Sequence, residues 1–299
     1  MGRHDSRSGA EGLERSCGRA AAGWIDGSGS VGGVELLRAW FAGEAYAKHR
    51  HDTYAIGSTD SGIQVFDYRG AARASRPGQV VVLHPDEVHD GRAGTKDGFG
   101  YRIVYVEPSH ISAALRGISA RPHPLPFVRE PVSAHAQLGR AVQRAFQSGL
   151  ESLAIDTIIV DLAEGLLAAA VGGPPVAPHH VDAAAIERAR EFLDAERTRA
   201  VHSTELEAIT GLTRYEVARQ FRLVLGTSPY RYLLGRRLEL ARQRMRVGRP
   251  LADVAYEAGF ADQAHFTRTF KAAFGLTPAR DRALRARGTA SGRDGCRTR

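Results

Sequence analysis

The sequence predicts an α+β protein with several domains: an N-terminal β-sheet or barrel, a pair of helices, and a C-terminal domain built only from helices. Two observations predict this class. Between Trp24 and about Val106, apolar and polar residues alternate with a period of two, which is typical of strands. From about Ala134 onward the apolar residues recur at helical spacing. The C-terminal part of that region also contains an internal repeat, which favours two helix-turn-helix units joined by a long helix.

The predicted strands lie between turns rich in Gly, Asp and Ser. Clear examples are residues 63–68, 79–83 and 101–106. We therefore expect residues 23–132 to form one compact sheet or barrel.

Two helices are predicted within residues 133–171, which carry apolar stripes at Leu138, Val142 and Phe146 and again from Leu153 to Leu166. The stripes are compatible with packing on the chain's own sheet and with self-association into a homodimer, and they do not distinguish the two. A Pro-rich linker, 172–181, follows. The polar, aperiodic termini, 1–22 and 288–299, are predicted to be disordered.

The repeat has the form F-x4-G-x-[ST]-P and occurs from Phe221 to Pro229 and again from Phe270 to Pro278. Upstream of each copy lies a short helical pattern, a glycine turn and a basic helical pattern. Thr213 and Asp262 are predicted to cap the second helix of each unit. Between the copies runs a helical pattern of about 18 residues, or ~27 Å, which suits two recognition helices that enter successive turns of a DNA major groove.

The charge distribution supports a nucleic-acid partner. Residues 184–287 contain 20 basic and 12 acidic residues, so this segment accounts for the whole net charge of +8. A basic surface displaces counterions from DNA phosphates.

The two cysteines, Cys17 and Cys296, form no CxxC pair, which indicates neither a disulfide framework nor a zinc site and fits a reducing cytoplasm. No signal peptide or membrane span is predicted, because the most apolar stretch, 153–171, contains three acidic residues.

The stretch from Leu206 to Pro278 resembles the DNA-binding domain of the AraC/XylS family of bacterial transcription regulators, within a predicted domain of residues 182–287. The residues that carry the resemblance are Arg219-x-Phe221, Gly226-x-Ser228-Pro229-x2-Tyr232, Arg237-Leu238-x2-Ala241 and Ala255-x3-Gly259-Phe260-x-Asp262-Gln263-x2-Phe266-x3-Phe270-Lys271-x3-Gly275-x-Thr277-Pro278.

The resemblance implies double-stranded DNA and RNA polymerase as partners, and base contacts from the first half of each recognition helix. The residues expected to contact DNA are Arg214, Tyr215, Arg219, Gln263, His265, Arg268 and Lys271. Arginine can bond guanine and glutamine can bond adenine in a bidentate manner. Lys271 is expected to contact phosphate. The alternative is that some of these side chains are solvated and read no base.

In the N-terminal half, Gly43-x5-His49-x-His51-x10-Gly62 resembles the first motif of the cupin barrel, and Gly78-x6-Pro85-x3-His89 resembles the second. AraC-type regulators commonly carry such a barrel, so the resemblance implies that a small-molecule effector binds inside it. The residues expected to line that site are His49, His51, Tyr54, His89, Tyr101 and Tyr105.

Three interpretations of the histidines remain open: effector binding, a structural role, and a zinc or iron site. The metal-binding cupins also use a carboxylate of the first motif, and that position is Ala55 or Ile56 here. The missing ligand argues against a metal, and no cofactor is predicted. It also argues against the alternative function, a metal-dependent cupin enzyme tethered to DNA. An alkylation-repair protein is excluded because the two cysteines lie in the tails. The sequence therefore predicts a cytoplasmic, effector-controlled regulator of transcription, activator or repressor, without enzymatic activity.

Overall fold

The computed structural model describes residues 22–119, 123–170 and 181–291. They form two compact units. One comprises the described residues up to Val181 together with Thr213–Arg219, and the other comprises Asp182–Leu212 and the residues from Gln220 onward. Both cysteines, most of the two terminal segments expected to be disordered, and nearly all of the predicted linker lie outside the described residues.

Ten strands make up two antiparallel sheets in the first unit. They are β1 (Ala22–Val31), β2 (Val34–Ala42), β3 (Glu44–His49), β4 (Tyr54–Gly62), β5 (Gln64–Tyr68), β6 (Ala71–Ser75), β7 (Val80–Leu83), β8 (His89–Ala93), β9 (Phe99–Val106) and β10 (Val132–Ser133). The larger sheet has the order β1-β2-β9-β4-β7-β10, and the smaller has the order β3-β8-β5-β6.

The larger sheet is covered on both faces. Along β9, Tyr101 and Ile103 belong to a core formed by both sheets, whereas Val104 and Val106 belong to a second core formed with helices. Successive side chains of a strand point to opposite faces. The first core is therefore the interior of a barrel-like sandwich, and the second is the layer between the larger sheet and its helices.

Three helices form that outer layer: α1 (Pro108–Ile118), α2 (Ala136–Ser148) and α3 (Ser152–Ala169). The pair α2 and α3 was predicted. The helix α1 was not, although Pro108 stands at its first turn and Ile111, Leu115 and Ile118 are buried at helical spacing. The apolar stripes of α2 and α3 are largely buried within the unit, which supports the packing interpretation of these stripes.

The remaining helices are α4 (Ala183–Ala195), α5 (Ser203–Thr210), α6 (Arg214–Leu225), α7 (Pro229–Arg246), α8 (Leu251–Glu257), α9 (Gln263–Phe274) and α10 (Pro278–Ser291). The pairs α5–α6 and α8–α9 are the two predicted helix-turn-helix units, and α7 is the predicted long connecting helix. The predicted α+β class, with a cupin-like N-terminal domain and a helical C-terminal domain, is confirmed. Helix α10 continues to Ser291, beyond residue 287, where we expected the domain to end.

The sequence repeat has a simple structural meaning. Its glycine ends a helix with positive φ: Gly226 has φ 70° and its N–H donates to Arg222 O, and Gly275 has φ 75° and donates to Lys271 O. The next Ser or Thr caps the following helix, and the proline occupies its first turn. Ser228 Oγ, for example, accepts the N–H of Arg231. Each copy therefore encodes one helix end and the next helix start.

The loop between α4 and α5 is held by the long helix. The buried Arg237 of α7 donates from Nε to Arg197 O at 2.9 Å and from its guanidinium Nη2 to Arg199 O at 2.7 Å. Gly259, at the end of α8, comes so close to the same loop that a Cβ there would lie 2.7 Å from the Thr198 carbonyl carbon. These contacts fix α8, and with it the start of α9.

Candidate functional site

Helix α9 presents three of its four predicted DNA-contacting residues on the face opposite its core. Phe266 and Phe270 are fully buried, while Gln263, Arg268 and Lys271 are exposed. The buried phenylalanines pack with Phe260, whose ring centroid is 5.1 Å from that of Phe266. This packing sets the rotation of α9 about its axis and so decides which side chains are presented.

The start of α9 is capped as the sequence predicted. Asp262 Oδ1 accepts the N–H of His265 at 2.6 Å, and this hydrogen bond is the main reason that the pKa of Asp262 lies below its ordinary value. The His265 ring is half-buried and packs edge-on against Phe260, with the centroids 5.3 Å apart. His265 therefore supports the turn with one part of its ring.

Helix α6 begins with the predicted capping box. The N–H and hydroxyl of Thr213 donate to the Glu216 carboxylate at 2.9 and 2.8 Å, and the Glu216 N–H points back to Thr213 Oγ1 at 3.4 Å. Arg214 and Arg219 are half-buried, and Tyr215 is 7% exposed. The role of these three residues in DNA contact stays a prediction.

Helix α5 is capped by the residue that precedes Ser203. The N-cap residue is His202, and its N–H donates to the Glu205 carboxylate at 2.9 Å. Ser203 is buried inside the first turn, so its hydroxyl does not stand in the capping position.

The three predicted histidines come together at one end of the barrel. The ring centroid of His89 lies 4.4 Å from that of His49 and 4.9 Å from that of His51. His49 ends β3 and pairs directly with His89, the first residue of β8. The pairing of these two strands, which is interrupted by register shifts, brings the cupin-like motifs together.

Each imidazole is oriented by its own backbone. The Nδ1 atoms of His49, His51 and His89 lie 2.9 Å from the carbonyl oxygens of Ala47, Thr53 and Glu87, respectively. A carbonyl can only accept, so each Nδ1 carries a proton. Burial lowers the pKa of His51, and it lowers the pKa of His89 to about 4, so both rings are neutral near pH 7. Their Nε2 atoms are then hydrogen-bond acceptors.

Tyrosines from the larger sheet and from β3 complete this cluster. The Tyr105 ring packs edge-on against His51 at 5.3 Å, and the Tyr46 ring lies 5.7 Å from that of His49. The hydroxyls of Tyr46 and Tyr101 share a short hydrogen bond. Burial, followed by the neighbouring Tyr46 and Glu35, raises the pKa of Tyr105 above its ordinary value. Sequence reasoning placed Tyr101 and Tyr105 here but missed Tyr46 and Glu35.

Tyr54 does not join the cluster. It is 1% exposed in the layer between the larger sheet and its helices, and its hydroxyl donates to Pro126 O at 3.0 Å. Its neighbour Ala55 pairs with Tyr105 and faces the barrel interior instead. The prediction for Tyr54 chose the wrong face of β4, and we leave this residue out of the proposed site.

A groove of about 540 Å³ opens beside His89. It is lined by Lys48, Asp67, Tyr68, Arg69, Gly70, Ala71, Ala72, Glu87, Val88 and His89. Arg69 is held by Glu87 at 2.6 Å and by the carbonyls of Val128 and Arg129, whereas Lys48 is exposed. Of the three clustered histidines, His89 lines this groove.

The residues present do not complete the metal-ligand set of the cupin motif. Ala55 occupies one candidate carboxylate position inside the barrel, and Ile56 faces the helix layer. Among residues 22–119, 123–170 and 181–291, no three His, Cys, Asp or Glu side chains are placed as ligands of one metal ion. In the same ranges, no helix is long and apolar enough to cross a membrane.

Both halves of the chain match known families. Residues 31–162 match the AraC-like ligand binding domain, and residues 206–283 match a helix-turn-helix domain. The uncharacterized HTH-type transcriptional regulator YbfI of Bacillus subtilis is 25% identical over 232 residues, which cover 74% of this chain and 82% of that protein.

Other relatives match a shorter part of the chain. The HTH-type transcriptional regulator ExsA of Pseudomonas aeruginosa is 34% identical over 90 residues, which cover 30% of this chain and 29% of that protein. A transcriptional regulator structure from Chromobacterium violaceum, described as AraC-type, is 28% identical with a TM-score of 0.32, and covers 34% of this chain and 93% of that chain. The two matched domains and the relatives together identify the chain as an AraC-type transcriptional regulator with a ligand-binding domain and a helix-turn-helix DNA-binding domain.

Proposed function

We propose that this regulator reads a specific DNA sequence through α6 and α9, and that a small molecule bound in the barrel controls this activity. The observation that carries the proposal is the exposed face of α9, where Gln263, Arg268 and Lys271 stand free of the core that fixes the helix. A rigid helix with exposed arginine and glutamine is the usual reader of base edges in the major groove.

The roles of the side chains follow from their chemistry. Arg219 and Arg268 each stand two residues before a buried phenylalanine, so they occupy equivalent positions in the two helix-turn-helix units. Each can form a bidentate hydrogen bond to guanine, which disfavours a wrong base at that position by about 1–3 kcal/mol. Gln263 suits adenine and Lys271 suits phosphate. Arg214, Tyr215 and His265 complete the proposed set of contacts.

The test is the double variant Arg219→Ala and Arg268→Ala, measured on an operator defined by genomic footprinting. We expect binding to that operator to weaken by about 2–6 kcal/mol in total, with unchanged helicity and unfolding midpoint. The matched control removes two exposed arginines of the ligand-binding domain, Arg76→Ala and Arg129→Ala. Equal operator affinity in the two double variants would remove Arg219 and Arg268 from the interface.

The effector-binding part of the proposal rests on His49, His51, His89, Tyr101 and Tyr105. The orientation of the imidazoles and the groove that reaches His89 support it. A bound effector would change operator affinity only by as much as it binds the two states of the protein differently. The corresponding measurement is operator affinity with and without a ligand that binds the barrel.

RNA polymerase and a second copy of the chain are further proposed partners, and the cytoplasm is the proposed site of action because the operator is there. We propose no enzymatic activity, since the named relatives are regulators. Turnover by the purified protein with stoichiometric iron would revive the cupin-enzyme alternative.

A further inference from the structure

One carboxylate of the larger sheet faces the histidine cluster without a partner. Glu35 of β2 pairs directly with Tyr105 of β9, and directly paired residues share a face of the sheet. Tyr105 in turn packs against His51. Glu35 therefore faces the same end of the barrel interior as the imidazoles. Among the described residues it makes no hydrogen bond or ion pair.

Acceptors outnumber donors in this cluster. Among the described residues, nothing donates to the Nε2 atoms of His49, His51 and His89, and the His51 Nε2 is fully buried. The Glu35 carboxylate adds two more acceptor oxygens. A ligand that fits must supply hydrogen-bond donors. A carboxylate-bearing ligand would set acceptor against acceptor.

Two arginines of the larger sheet are directed away from the histidine cluster. Arg38 and Arg102, which pair with each other on β2 and β9, point to the opposite face, where their guanidinium groups lie over the Phe146 ring of α2 at 5.0 and 5.9 Å. Burial raises the pKa of Glu35, which is a cost that a bound cation would offset. The rings of Tyr46 and Tyr105 add faces that attract a cation.

We propose that this site takes a small molecule carrying a protonated amine, with its N–H groups donated to the imidazole Nε2 atoms and its charge opposite Glu35. This inference rests on the proposed function, in which the barrel holds the effector. An amine is favoured over a metal ion because the described side chains are not arranged as a metal-ligand set, whereas the tyrosine rings of Tyr46 and Tyr105 lie beside His49 and His51. Lys48 lines the groove beside His89, and its charge would oppose a bound cation.

The experiment is calorimetric titration of the full chain with benzylamine, benzyl alcohol and benzoate, which share one ring and differ in charge. We expect benzylamine to bind at least tenfold more tightly than the other two. Glu35→Gln keeps the side-chain shape and should weaken the binding of benzylamine at least tenfold. Glu44→Gln, an exposed carboxylate of the same barrel, should have no effect, and Lys48→Gln should tighten binding two- to fivefold.

Several results would overturn the amine assignment: binding of benzoate or benzyl alcohol as tightly as benzylamine, no effect of Glu35→Gln in a folded protein, or no binding of any probe at millimolar concentration. Stoichiometric binding of Zn²⁺ or Fe²⁺ that excludes benzylamine would assign the site to a metal instead.

Measurements of operator affinity distinguish failure of the amine assignment from failure of effector control. If benzylamine binds as expected but leaves operator affinity unchanged, the site chemistry stands and effector control fails. If benzoate binds and changes operator affinity, effector control stands and the amine assignment fails.

Discussion

Gly259 shows how a single position can secure the second helix-turn-helix unit. Its φ is +79°, and a Cβ would lie 2.7–2.8 Å from the backbone of Arg197 and Thr198. Gly226 has a similar φ of +70° but open space around it. Both glycines avoid left-handed strain, which costs a residue with a side chain about 1–2 kcal/mol. Only Gly259 also avoids a collision with backbone.

We therefore expect Gly259→Ala to lower the free energy of unfolding by about 1–3 kcal/mol more than Gly226→Ala does. The measurement is urea unfolding followed by far-UV circular dichroism. Because the two variants share the conformational strain, their difference isolates the contact with the α4–α5 loop. Equal destabilisation would show that this loop moves aside without cost.

His84 gives the ligand-binding domain a defined pH response. The ring is buried, and burial, followed by the charge of Arg69, lowers its pKa below the ordinary 6.5. Its Nε2 accepts the N–H of Val128 at 3.1 Å, a bond that only the neutral ring can accept. The unfolded chain then binds the proton more readily than the folded chain. Stability from this residue is complete above pH 6.5 and falls as the pH drops below it.

The test compares wild type with His84→Gln, whose amide oxygen can still accept from Val128 but does not titrate. Between pH 8 and pH 5 we expect wild type to lose more unfolding free energy than the variant, since the buried His51 and His89 contribute to both proteins alike. Chemical unfolding at a series of pH values measures this difference. Parallel pH curves for the two proteins would exclude His84 as the source.

The residue scale also shows where sequence reasoning reached its limit. Alternation identifies a strand, but β4 is buried on both faces, so its pattern does not say which residues face the barrel. Tyr54 was therefore assigned to the wrong side. Glu35 and Tyr46 became candidates only when strand pairing placed them beside Tyr105 and His49. Register between strands distant in sequence is information that one sequence does not contain.

At the scale of elements, the repeated helix boundaries were the most predictable part of the chain, because glycine, Ser or Thr, and proline each have a local physical preference. The caps of α6 and α9 followed the same logic and are confirmed. Helix α1 was missed although its buried residues keep helical spacing. Its 11 residues follow directly on β9, and Pro108, which favours a helix start, equally marks a loop.

The cap of α7 provides a prediction at this scale. Ser228 is buried, and its hydroxyl accepts the N–H of Arg231 at the start of the connecting helix. We expect Ser228→Ala to cost about 1 kcal/mol of stability. Thr227→Ala, one position earlier, removes a hydroxyl that caps nothing and should cost less than half as much. Thermal and urea unfolding of both variants measure the difference, and equal losses would refute the capping role.

At the scale of the whole molecule, the charge distribution carried the functional prediction further than the fold did. The surplus of basic residues falls within 184–287, the segment that contains both helix-turn-helix units. The sequence thus indicated what kind of partner this segment binds. It did not indicate the effector, because the proposed effector site is formed by residues of several strands that only folding brings together.

Lys271 separates attraction by charge from recognition of sequence. It is exposed on α9, one position beyond the buried Phe270, and we propose that it contacts a DNA phosphate rather than a base. A lysine that neutralises one phosphate contributes about 0.9 to the slope of log K against log salt concentration. We expect Lys271→Gln to reduce that slope by about one. It should also weaken binding to operator DNA and to non-operator DNA by the same factor. Lys96→Gln, an exposed lysine of the first unit, should leave the slope unchanged. Fluorescence anisotropy across a salt series measures both slopes.

Two results would contradict the phosphate contact. If Lys271→Gln keeps the wild-type slope but loses preference for the operator, Lys271 contacts a base edge. If it behaves like Lys96→Gln, Lys271 lies outside the DNA interface.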